Sequence, residues 1–72
     1  MITPKEAIKK LEDVGIKIKS GALLKEEYIF LVESDEFDPY IAFNRNTGKV
    51  RPYTPAEDIE AYGNAFKNHK IM

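Results

Sequence analysis

Cysteine is absent from this chain of 72 residues, and histidine occurs once, as His69. Without thiols, neither a disulfide nor a thiolate zinc site can stabilise a small fold. A lone histidine with no local partner supplies neither a nucleophile–base pair nor a metal centre. The four glycines are scattered singly, so there is no glycine-rich phosphate loop. These absences predict a protein that is not an enzyme, with no catalytic residue, metal or cofactor.

Long apolar segments are also missing. The longest uninterrupted run, from Tyr28 to Val32, is far too short to cross a membrane. The first residues enter a charged amphipathic pattern directly, without the apolar stretch of a signal peptide. We therefore expect a cytoplasmic protein that does not engage a membrane.

The length allows only one hydrophobic core, so we expect a single domain over residues 1–72. A core of this size usually leaves only about 3–5 kcal/mol of stability. A homodimeric interface is therefore kept open as a further source of stability.

The net charge of −1 conceals blocks of opposite sign. Residues 1–25 carry +3, residues 26–38 carry −6, residues 39–55 carry +3 and residues 56–72 carry −1. Such a chain is neither a uniformly basic nucleic-acid binder nor a uniformly acidic mimic of nucleic acid.

Two segments carry nearly the same helix-start signal, Thr3-Pro4-Lys5-Glu6 and Thr54-Pro55-Ala56-Glu57. Each combines a capping threonine, a proline at the first helical position and a glutamate that closes a capping box. The first helix is expected to end at Gly15 and to bury Ala7, Ile8, Leu11 and Val14. The second is expected to bury Ile59, Tyr62, Gly63 and Phe66, with Gly63 as a close-packing position.

Strand patterns occupy the segment between the helices. Residues 16–20 alternate apolar and polar, which predicts a strand with one buried face. Residues 21–25 are expected to turn the chain. Residues 28–32 are apolar throughout and predict a central strand covered on both faces. In so small a protein, this coverage requires helices on opposite faces or a partner on one face.

Residues 44–48, with the sequence Asn-Arg-Asn-Thr-Gly, predict a β-hairpin turn. The asparagine accepts backbone hydrogen bonds, and the glycine supplies the left-handed residue that closes the turn as a G1 bulge. Strands are expected at residues 40–44 and 49–53, and Pro52 marks the second as an edge strand. The predicted class is α+β, a single antiparallel sheet of three to four strands between an N-terminal and a C-terminal helix, in the order α-β-β-β-β-α.

Two charged segments are candidate binding sites. The acidic loop around residues 34–38 offers carboxylates for a hard cation, but its spacing does not match an EF-hand. A protein-binding edge and a solvated turn are the alternatives. The basic hairpin interleaves cations with tyrosines, as single-stranded nucleic acid prefers, or simply presents solvated cations beside core tyrosines.

The segment 38–50, DPYIAFNRNTGKV, resembles the strand–turn–strand of PepSY-type domains and of small bacterial immunity proteins. In both, a strand ends in Asp or Asn and is followed, after two residues, by Thr-Gly and a further strand. The compact capped style also resembles small bacterial or prophage proteins. Either resemblance implies a binding domain without catalysis, and no catalytic residue is carried over.

The leading hypothesis is a small protein-binding module: an inhibitor, an immunity protein or a regulatory partner, acting by surface complementarity. The predicted contact residues are Asp35, Glu36, Phe37, Asp38, Tyr40, Arg45, Lys49, Arg51 and Tyr53. The alternative is weak nucleic-acid binding by the cations of the hairpin. A third hypothesis, a small enzyme, requires a site built from Asp35, Asp38 and His69.

Overall fold

The computed structural model describes residues 1–33 and 39–72. Within these ranges the strands form one antiparallel sheet whose strand order follows the chain. The elements are α1 (Pro4–Asp13), β1 (Ile18–Leu24), β2 (Glu27–Val32), β3 (Tyr40–Asn44), β4 (Val50–Pro52), a 3-10 turn (Pro55–Glu57) and α2 (Ile59–Asn68). The predicted α+β class and the order α-β-β-β-β-α are confirmed.

The two helices pack on opposite faces of the sheet, and β2 is buried between them. Phe30 belongs to the cluster that includes Leu11 of α1. Its neighbour Ile29 points the other way, into a cluster with Tyr62 and Phe66 of α2. Successive strand residues alternate faces, so an unbroken apolar run is what a strand between two helices requires. The prediction of a central strand covered on both faces is confirmed.

The predicted turn at residues 21–25 is wrong, because β1 continues to Leu24. The chain turns instead at Lys25, whose φ of 58° is left-handed, and Gly21 lies within the strand opposite Phe30. A Cβ atom added at Gly21 would stand 2.7 Å from Cδ1 of Phe30. Glycine here makes room for a buried ring, a role that sequence pattern does not distinguish from a turn.

The first helix begins as predicted: the Thr3 hydroxyl accepts a hydrogen bond from the Glu6 amide at 3.2 Å, and Gly15 has a φ of 88°. Val14, however, is 72% exposed. It is the C-cap residue, with non-helical backbone, so the helical spacing that places Leu11 in the core no longer holds for it.

The second helix starts later than predicted. Thr54 and Glu57 do form a capping box, but it closes only the 3-10 turn. Asp58 then leaves the helical backbone, with φ −157° and ψ 86°, and caps α2 by accepting from the Ala61 amide at 3.1 Å. This break between the 3-10 turn and α2 changes the rotation of the helix about its axis, so Ala65 is buried in place of two residues of the predicted stripe.

Those two residues are Ile59 and Gly63, and their predicted burial is wrong. Ile59 is 63% exposed, and among the described residues nothing beyond the adjacent residues and the helix's own backbone comes within 4 Å of a Cβ placed at Gly63. Tyr62 and Phe66 do pack against the sheet as predicted.

The two outer edges of the sheet differ in how far their backbone groups are paired. Along β1, residues 69–71 pair with the strand: the Leu23 amide donates to the carbonyl of His69 at 3.0 Å, and the Ile71 amide donates to that of Gly21 at 2.9 Å. Along β4, Pro52 has no N–H to offer, as expected of an edge strand.

Candidate protein-binding surface

The hairpin turn between β3 and β4 forms as predicted. Oδ1 of Asn44 accepts from the amides of Asn46 at 2.8 Å and Thr47 at 3.0 Å. The Gly48 amide donates to the Asn44 carbonyl at 2.8 Å, and the φ of Gly48 is 78°. The turn is thus built by its own side chain and one left-handed residue.

This turn is bonded to the neighbouring turn between β1 and β2. Nε of Arg45 donates to Oε2 of Glu26 at 3.0 Å, and Nδ2 of Asn46 donates to the same oxygen at 2.9 Å. The Arg45 amide also donates to the Glu26 carbonyl at 3.0 Å. The side-chain hydrogen bonds from Arg45, which has the largest effect, and from Asn46 lower the pKa of the Glu26 carboxyl group. The two turns therefore form one rigid end of the sheet.

Arg51, which lies on β4, is held by two carboxylates. Its Nε and Nη2 donate to the two carboxylate oxygens of Glu27, both at 2.9 Å, and Nη1 reaches Oε1 of Glu57 at 3.4 Å. The hydrogen bonds to Glu27 raise the pKa of Arg51, so this cation never titrates. Its guanidinium carbon lies 5.7 Å from the centroid of the Tyr53 ring. Paired contacts of this kind fix orientation as well as charge.

The basic patch predicted from the sequence is therefore electrically balanced. The partners of the two arginines are the glutamates 26, 27 and 57, so three carboxylates pair with two of the three predicted cations. Lys49 is exposed and makes no ion pair with a described residue. Of the predicted hairpin cations, Lys49 and Arg51 lie on the surface, while the side chain of Arg45 is only 23% exposed.

Of the two tyrosines predicted as contact residues, Tyr53 is buried and Tyr40 is partly buried. Tyr53 is 3% exposed, so its ring is not available to a partner. The hydroxyl of Tyr40 bonds that of Tyr62 at 2.6 Å, and their rings meet edge to face. The sequence carried a signal for Tyr53, since an apolar residue just before a helical cap often packs inward.

The hydroxyl of Tyr53 is buried and has no hydrogen-bond partner among the described residues. Burial, followed by the negative charges of Glu57 and Asp58, raises the pKa of this phenol. It is therefore a neutral core side chain.

The predicted acidic contact residues Asp35, Glu36, Phe37 and Asp38 lie outside the described residues. The enzyme hypothesis also depends on two of them. His69 is exposed and caps the end of α2. It lines an open groove of about 220 Å³ between the β1–β2 turn and α2, with Leu23, Leu24, Lys25, Ala61, Asn64 and Ala65. No carboxylate lines this groove.

Residues 1–33 and 39–72 contain no cluster of three metal-ligating side chains. Over the same ranges, no helix has the length and apolarity needed to cross a bilayer.

The outer edge of β4 has few free backbone groups with which a partner strand could pair. The Asn44 amide donates to the Lys49 carbonyl and the Tyr53 amide to that of Tyr40. Because inward and outward backbone groups alternate along a strand, Val50 and Pro52 point their backbone groups outward. Only Val50 then has an N–H to offer, and its side chain is 48% exposed.

No family model, curated protein or solved structure matches this chain.

Proposed function

We propose that this protein is a small protein-binding module, an inhibitor, immunity or regulatory partner, that contacts its target through the β4 surface. The β4 surface consists of Lys49, Val50 and Arg51. The observation that carries the proposal is the fixed guanidinium of Arg51 on an edge strand that also carries the exposed Val50; the side chains of these two residues lie on opposite faces of the sheet.

An edge strand that carries an exposed apolar side chain on one face and an oriented arginine on the other is suited to a protein partner that contacts the edge from both faces. Protein interfaces combine an apolar centre with enriched arginine and a polar rim. Arg51 is already held at 2.9 Å by Glu27, so little side-chain entropy is lost when a partner docks against it. Exposed ion pairs add little stability, typically below about 1 kcal/mol. The pair contributes to binding because it holds the guanidinium of Arg51 in one orientation.

The same pairing disfavours the nucleic-acid alternative. Affinity for nucleic acid comes mainly from cations that release counterions when they neutralise phosphates. The carboxylates beside Arg45 and Arg51 already neutralise them. Lys49 is then the one predicted cation without an ion pair to a described residue, which is too little charge for phosphate binding.

Recognition by side chains is favoured over strand addition. Strand addition needs a row of free backbone donors and acceptors. Pro52 lacks the donor, and its carbonyl is approached by Nη1 of Arg51 at 3.4 Å.

The absence of cysteine makes a direct test available. Val50→Cys and Val14→Cys each introduce a unique thiol at an exposed valine, to which a photoreactive benzophenone is attached. Irradiation in an extract of the protein's own cells should give one discrete protein adduct from position 50 and none from position 14. Excess unlabelled chain should compete, and Arg51→Ala should weaken the adduct.

Adducts of equal yield from both positions would contradict the proposal. Salt-sensitive binding of labelled RNA or DNA by the unmodified chain would instead support the alternative. Glu27→Gln with Glu57→Gln is the positive control for that assay, because it releases the charge of Arg51.

A further inference from the structure

One ridge of α2 is not covered by the described part of the chain. Ile59 is 63% exposed, and the space around Gly63 is open. With Lys67, these residues are spaced four apart and form a single ridge along the helix. Phe66 borders the ridge and is only partly buried. The two positions of α2 whose burial was predicted from the sequence, but is not found within the described residues, are thus adjacent on one surface.

We propose that this ridge, Ile59, Gly63 and Lys67, is the contact surface for a second copy of the same chain, with the two α2 helices antiparallel about a two-fold axis near Gly63. Gly63 lies near the middle of the ten-residue helix. A two-fold axis there places glycine opposite glycine, where the helices approach most closely. Each Ile59 then packs along the partner helix over the stem of Lys67. A two-fold contact uses the same patch on both copies.

Charge selects a second copy as the occupant. Along the helix axis, Glu60 lies about 4.5 Å to one side of Gly63, and Lys67 lies about 6 Å to the other side. Antiparallel pairing brings Glu60 of each copy beside Lys67 of its partner, giving two ion pairs. Neither residue makes an ion pair with a described residue of its own chain. A parallel pairing would set like charges together, so the ridge is complementary to itself in one orientation.

The dimer is expected to be weak. A ten-residue helix is about 15 Å long, and its outward ridge covers much less than the roughly 800 Å² per partner of a standard interface. A dissociation constant between about 10 μM and about 1 mM is therefore expected. This contact uses a different element from the β4 surface and does not depend on the function proposed for that surface.

Sedimentation of the whole chain across this concentration range tests the proposal. The unmodified chain should convert from monomer to dimer. Glu60→Lys and Lys67→Glu should each remain monomeric, with at least a tenfold weaker association, because each turns both ion pairs into repulsions. An equimolar mixture of the two variants should regain dimers, because both contacts in the mixed dimer are attractive. Charge effects on folding alone would not produce this recovery.

Gly63→Gln provides a second, uncharged variant. Glutamine is a better helix former than glycine, so the monomer should stay folded, as circular dichroism would verify. Its side chain separates the helices, so association should fall at least tenfold. A chain that is monomeric throughout the range, or variants and mixture that all associate like the unmodified chain, would overturn the proposal.

Discussion

Replacing two glycines by alanine should change stability in opposite directions. At Gly21, the new methyl group would stand 2.7 Å from Cδ1 and 2.9 Å from Cε1 of Phe30, with Cγ1 of Ile71 at 3.3 Å. Phe30 is fully buried, so its ring cannot swing into solvent. At Gly63, no described side chain or neighbouring element lies within 4 Å of the position of the new methyl group. The same chemical change thus meets a packed core in one case and open space in the other.

The magnitudes follow from these two surroundings. Overpacking a core costs about 1–3 kcal/mol, and relieving a strand glycine returns about 0.5–1 kcal/mol. Gly21→Ala should therefore lose up to about 2.5 kcal/mol net, and each kcal/mol lost lowers Tm by roughly 4–8 °C in a domain of this size. Gly63→Ala should gain about 0.5–1 kcal/mol from helix propensity.

Urea and thermal unfolding monitored by circular dichroism, at a concentration where the chain is monomeric, would measure both changes. Phe30→Leu supplies the decisive background, because a smaller side chain leaves room for the methyl group. The penalty of Gly21→Ala should shrink by at least half in that background, as a coupling between touching residues. An equal penalty in both backgrounds, or a stabilising Gly21→Ala, would refute the steric reasoning.

Two further predictions concern α2 and the core beneath it. Burial, with the hydrogen bond to Tyr40, raises the pKa of Tyr62 to about 12 from an ordinary 10. The unfolded chain loses this proton first, so stability is complete below pH 10 and falls by roughly 2–3 kcal/mol as pH rises through 12. Urea unfolding at stepped alkaline pH, with ultraviolet titration of the phenols, would detect this, and a flat profile would contradict it. Asp58→Ala should lower the free energy of unfolding by about 1 kcal/mol, because it removes the cap of α2. Thr54→Ala affects only the 3-10 turn and should cost less in the same unfolding assay. A larger cost for Thr54→Ala would show that the helix begins at Thr54.

The features predicted correctly are those whose physical cause is local in sequence. The turn at residues 44–48 is held by Oδ1 of Asn44 and by the left-handed Gly48, both within five residues. The first helix begins where Thr3 caps it. Such interactions depend on neighbours along the chain, so a sequence displays them directly. The four-strand order follows from the same local signals placed in succession.

The features missed depend on distant residues. From the sequence alone, Gly21 is typical of a turn. Its role depends on the strand register, which places Phe30 opposite it. Thr54 carries the same capping signal as Thr3, but Asp58, four residues later, leaves the helical backbone and caps a new helix. The burial of Tyr53 depends on α2, whose Tyr62 ring stacks on that of Tyr53 at a centroid distance of 6.5 Å. In each case, tertiary packing selects among structures that the local sequence permits equally.

Charge shows this distinction most clearly, and it bears on function. In the sequence, the acidic block and the basic hairpin are separate, which suggested a two-signed face for a partner. In the sheet, the antiparallel register of β2 and β3 sets Glu27 opposite Asn44. The glutamates at the start of the acidic block thereby meet Arg45 and Arg51 within the chain. Much of the charge that seemed directed outward is used to join the two turns and to orient one guanidinium. The exposed apolar side chains include Val50 on β4 and Ile59 on α2, and each is flanked by charges that limit what can bind there.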